Sequence, residues 1–182
     1  MNTRARLVRI LLWYNVVSMA IWVGGTVYQM LVVVPLWSAS PPETVTAFFK
    51  GTQYLAQIPR FFGPRTMALR VLPIGLLLIA GWNERRLRPL LIVTAATVAI
   101  GLAMTLLWIY PINDALFWRA GEGVPVDALR TMVDRWIFLD RLRFALMGVG
   151  YLALLRAFSL SGSREPEPGA RPASPPDLHA HR

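Results

Sequence analysis

Along the chain, apolar residues gather into long blocks that short polar stretches interrupt. One block runs from Ile10 to about Leu36, a second from Thr66 to Trp82, a third from Leu90 to Ile112, and a fourth enters near Arg135 and closes near Phe158. A helix needs roughly 20 apolar residues to cross hydrocarbon. The blocks therefore predict an all-α, polytopic membrane four-helix bundle with spans at about 9–36, 66–82, 90–112 and 135–158. The basic lead MNTRARLVR precedes an apolar run too long for a signal peptide, and that run ends in VVVPLW, so it is expected to stay as the first span.

Between the first two spans lies SASPPETVTAFFKGTQYLAQIPRFFGP, residues 38–64. Val45, Phe48, Phe49, Thr52, Leu55 and Ala56 follow helical spacing, with Glu43, Lys50, Gln53 and Gln57 on the other side. This predicts an amphipathic helix lying in the interface and capping the bundle. Between the third and fourth spans, GEGVP marks a turn, and Pro125 suits the first position of a helix running unbroken into the fourth span. Residues 161–182 hold Pro, Gly, Ser, Arg and acids with almost no large apolar side chains, and are expected to form a disordered cytoplasmic tail after a membrane domain over 1–160.

Charge sets the orientation. Arg4, Arg6 and Arg9, then Arg85, Arg86 and Arg88, sit at the ends of apolar blocks. The loop from Asn113 to Asp134 carries four acids against two arginines. The positive-inside rule then puts both termini in the cytoplasm of a multi-pass inner-membrane protein. The net charge of +9 reflects these clusters and contact with anionic lipid, so no nucleic-acid partner is expected. Cysteine is absent and the two histidines lie in the tail, which excludes thiolate chemistry and His-ligated metal or haem inside the membrane. No cofactor is expected.

Polar residues inside the spans are the candidates for chemistry, because hydrocarbon makes them costly. Trp136, Asp140, Arg143 and Met147 share one helical face, and Asp140 and Arg143 are one turn apart and able to pair. Asn113 arrives after Pro111 at the same depth, as do Gln29 and Arg70 from the first and second spans. Two readings stand for Arg70, snorkelling to headgroups or facing a site. Two also stand for the Asp140–Arg143–Asn113 group: a structural tie between helix ends, or an acid/base and oxyanion-binding site in which Trp136 stacks on a substrate ring. Thr97, Gly101 and Thr105 form a small-residue stripe that reads as a packing seam.

YPINDAL, followed by W-x₃-D-x₂-R at Trp136, Asp140 and Arg143, resembles the pattern of the anthrone oxygenase-like family of small four-helix membrane proteins. WVGGTVYQMLVVVP resembles that family's Gly-rich first helix, and the likeness covers roughly residues 8–158. Asp140 stands where the family pattern has Asn or His. The resemblance implies cofactor-independent oxidation of an anthrone-type aromatic by dioxygen, with catalytic roles for Asp140, Arg143 and Asn113 and substrate contacts from Trp136, Arg70 and Gln29. The alternative is a non-enzymatic accessory or small-molecule-binding protein, alone, as a homo-oligomer or in a larger membrane complex.

Overall fold

The computed structural model describes residues 3–162. Among them the chain is helical with no strand, and four helical stretches are long and apolar enough to cross a membrane. The first, α1, is Thr3–Ser38. A short helix α2, Glu43–Gly51, follows. Two single helical turns, Tyr54–Gln57 and Pro59–Phe62, lead into α3, Pro64–Gly81. The stretch α4 is Arg88–Trp118, and α5 is Val126–Gly162. The end of the bundle that carries Thr3, Gly81, Arg88 and Gly162 is called proximal below, and the end carrying α2 is called distal.

Leu31, Leu72, Ile79, Leu107, Phe138 and Leu152 are each more than 60% exposed, a density of bare apolar surface suited to lipid. The protein is a multi-pass membrane protein. Inside hydrocarbon, helices gain nothing by hiding apolar groups from water, so close packing and hydrogen bonds must hold them. Here α4 packs most extensively on α5. The Thr97–Gly101–Thr105 stripe lies along that contact. A Cβ at Gly150 would overlap Thr97 Oγ1, and Thr94 Oγ1 donates to the Gly150 carbonyl at 3.1 Å.

Between α1 and α3 the join is polar. Pro73 sits inside α3 and has no N–H to give the Leu69 carbonyl one turn back. The Tyr14 hydroxyl of α1 donates to that carbonyl at 2.8 Å, and the neighbouring Asn15 Nδ2 donates to the Pro73 carbonyl at 3.1 Å.

The spans run further than the apolar blocks. Flanking turns continue α1 to Ser38, α4 to Trp118 and α5 to Gly162. Ser161 and Gly162 thus belong to α5, and the rest of the expected disordered tail lies outside the described residues. The expected interface helix is shorter than its apolar spacing. It stops at Gly51, because Thr52 turns extended at φ −124°, ψ 164°. The helix beyond GEGVP begins at Val126, one residue after Pro125, and runs 37 residues without a break.

Candidate functional site

Three π-helical turns distort the distal half: Gln29–Val33 in α1, and Thr105–Ile109 and Asp114–Trp118 in α4. Such single wide turns insert an extra residue into a helix and recur at functional sites. In the first two, the Val34 and Tyr110 amides reach back five residues to the carbonyls of Gln29 and Thr105. Pro35 and Pro111 follow directly. Gln29 and Thr105, the first residues of these turns, line the same cavity.

That cavity, about 60 Å³, also takes in Asn113, Trp136 and Arg143. Its polar wall is firmly built. Trp136 Nε1 donates to Asn113 Oδ1 at 2.7 Å, tying α5 to α4. Arg143 Nη2 donates to Asp140 Oδ1 in a buried ion pair, and Arg143 Nη1 donates to Thr105 Oγ1 at 3.2 Å. The Thr105 hydroxyl in turn donates to the Gly101 carbonyl at 2.8 Å. Arg143 lies about 20 Å along the helix from Arg156 at 1.5 Å per residue, well inside hydrocarbon depth. At that depth the pair is what makes both charges tolerable.

Two of the lining residues each carry an atom without a partner. Gln29 Oε1 and Arg143 Nε are both buried and unbonded. Asp140 Oδ2 is unbonded too, but Asp140 does not line the cavity. It faces a separate crevice of about 30 Å³ beside Met30, Val34 and Arg141.

Of the residues the sequence singled out, Gln29, Asn113, Trp136 and Arg143 meet around one space. Asp140 stands behind Arg143 and holds it. Arg70 is elsewhere: its Nη1 donates to the Phe61 carbonyl at 2.9 Å, and its guanidinium lies 4.3 Å from the centre of the Phe61 ring and 5.7 Å from that of Trp22. It neither snorkels nor lines the cavity, and it is 8% exposed.

Sequence reasoning missed Thr105, which the packing stripe absorbed, and foresaw a cap on the bundle without the rings that build it. An aromatic cluster of Trp37, Phe49, Phe117 and Trp136 closes the distal end, with ring centres 4.5–5.7 Å apart. The α2 helix supplies Phe49, and α2 is held by Thr46 Oγ1 donating to the Ala120 carbonyl at 3.3 Å and by the exposed Lys50–Glu122 ion pair. Ala120 adopts φ 48°, followed by Gly121 at 75°, a left-handed pair that turns the chain back toward α5. The signal for the cavity was available in VVVPLW and WIYPIN, where each proline ends a π turn.

No group of three or more potential metal ligands occurs among the described residues. No family model matches the chain, and neither does any curated protein or solved structure.

Proposed function

We propose that the chain is an inner-membrane protein that binds a small, largely apolar molecule at the distal end of its bundle, and that it oxidises an anthrone-type aromatic there. The single observation behind this is the cavity at hydrocarbon depth that joins Gln29, Asn113, Trp136 and Arg143 and leaves a hydrogen-bond acceptor and donor unused. Buried polar atoms without partners are rare because each is costly, and a ligand's polar group would satisfy them.

The enzymatic half rests on the resemblance of YPINDAL and W-x₃-D-x₂-R to the anthrone oxygenase-like pattern. In that reaction a ring methylene becomes a carbonyl. One oxygen atom of dioxygen enters the product, and the other leaves as water with the two methylene hydrogens. Arg143 would donate a hydrogen bond to the oxygen of the neutral substrate, and Asn113 and Trp136 would orient the ring system. Asp140 acts on this scheme by holding Arg143 rather than by touching substrate.

The experiment uses the protein in lipid nanodiscs with anthrone under dioxygen, followed by mass spectrometry of the product. Anthraquinone formation faster than in buffer, lost in the Asp140→Leu/Arg143→Met double variant, supports the enzyme. Turnover no faster than buffer removes it and leaves the binding protein. Small molecules retained by the gently purified protein would then identify the ligand class.

The orientation belongs to this proposal as well. Arg4, Arg6, Arg9, Arg85, Arg86, Arg88 and Arg156 fall at the proximal end, whereas the distal Lys50, Arg60, Arg65, Arg119, Arg130 and Arg135 stand beside five acids, a balance that supports a cytoplasmic proximal end and an external cavity end.

A further inference from the structure

The cavity is too small to be a whole binding site. At about 60 Å³ it falls well short of the roughly 300–1,000 Å³ of a complete small-molecule pocket, so it holds only part of a ligand. Two apolar clefts adjoin it. The larger, about 460 Å³, lies between the Pro59–Pro64 turns and the Tyr110–Trp118 stretch of α4. The smaller, about 340 Å³, lies between the Gly25–Val33 stretch of α1 and the Tyr54–Phe62 turns. Ile58 and Phe62 line all three spaces. Tyr110, Asn113 and Phe117 are shared by the cavity and the larger cleft.

The polar atoms specify the head that would fill the cavity. Gln29, 6% exposed, and Arg143, 9% exposed, both line the cavity, and each holds a buried atom without a partner, an acceptor in Gln29 Oε1 and an N–H in Arg143 Nε. A hydroxyl is the neutral group whose chemistry suits either atom, as donor to Gln29 Oε1 and as acceptor from Arg143 Nε. Charge decides against an acid. The Arg143 guanidinium is already matched by Asp140, so a carboxylate or phosphate would add an unbalanced negative charge at hydrocarbon depth.

Resting on the small-molecule reading, we infer that the ligand is a neutral, hydroxyl-bearing hydrophobe, a phenol or alcohol. Its hydroxyl sits between Gln29 and Arg143, its apolar body lies in the larger cleft, and Ile58 and Phe62 determine which bodies fit. Nothing in the site rewards an anionic head.

The test compares 1-naphthol with 1-naphthoate at neutral pH, where the first is uncharged and the second an anion. Equilibrium dialysis against the full chain in nanodiscs, above an empty-nanodisc blank, gives the affinities. Saturable binding of 1-naphthol is expected, with 1-naphthoate at least tenfold weaker. Gln29→Leu removes an acceptor that no protein donor uses, so it leaves nothing orphaned, and it should weaken 1-naphthol about tenfold. Phe62→Trp should abolish 1-naphthol binding with helical content unchanged. Equal or stronger binding of 1-naphthoate overturns the inference, as does wild-type affinity in Gln29→Leu. Absence of saturable binding by either probe overturns it together with the small-molecule reading. Binding of 1-naphthol without any anthrone turnover upholds it and removes only the enzyme.

Discussion

The Asp140–Arg143 pair behaves differently according to which half is removed. Asp140→Leu leaves a guanidinium buried with only Thr105 for a partner, and breaking such a pair costs about 3–5 kcal/mol. Asp140→Leu/Arg143→Met removes both charges at similar volume and should return to within about 1 kcal/mol of wild type, or exceed it. Unfolding in mixed micelles measures both, and a single variant as stable as wild type would show that the pair ties nothing. The pair itself was legible, because spacing alone puts Trp136, Asp140 and Arg143 on one face of one helix. Which of them faces the cavity was not. That depends on the Thr105 hydroxyl and on the rotation of α4 by its π turn, neither of which one-helix spacing encodes.

At the scale of elements, the join between α1 and α3 is a proline defect repaired from outside. Pro73 strands the Leu69 carbonyl, and Tyr14 donates to it. Tyr14→Phe should therefore cost about 0.5–1.5 kcal/mol, the usual range for a hydrogen bond between membrane helices. In a Pro73→Ala background, the substituted alanine supplies the missing amide and the same Tyr14→Phe change should cost almost nothing. A double-mutant cycle by thermal unfolding in detergent reads the coupling directly, and equal costs in the two backgrounds would mean the bond is idle. The four spans were legible from apolar block length, because hydrocarbon thickness sets it. The break at Thr52 was not, because Val45, Phe48, Phe49, Thr52 and Leu55 keep helical spacing across a backbone that leaves the helix. The first two π turns left only the prolines of VVVPLW and WIYPIN as their trace, since adding one residue to a turn leaves an apolar block apolar.

For the molecule as a whole, the distal roof has a titratable attachment and the orientation has the widest consequence. The Glu122 carboxyl is held below the usual glutamate range by the hydrogen bond and charge of Lys50. Its folded value is thus lower than its unfolded one. The pair's contribution is complete above the unfolded value and disappears as pH falls through the lowered folded value. Amide exchange in α2 should quicken over that acid window, while Glu122→Gln exchanges fast throughout and shows no step. Both groups are exposed, so the effect is small and salt should erase it.

Orientation has a cleaner test, because the chain has no cysteine of its own. Ala39→Cys and Ala128→Cys place a thiol at exposed positions of the distal end, and Asn83→Cys places one in the exposed turn between α3 and α4 at the proximal end. With the arginine clusters in the cytoplasm, a membrane-impermeant maleimide added to intact spheroplasts should label the first two and spare the third. Lysis should expose all three. Labelling of Asn83→Cys alone before lysis would invert the topology and put the Gln29–Arg143 cavity on the cytoplasmic side, where its ligand would have to arrive from metabolism inside the cell rather than from outside it.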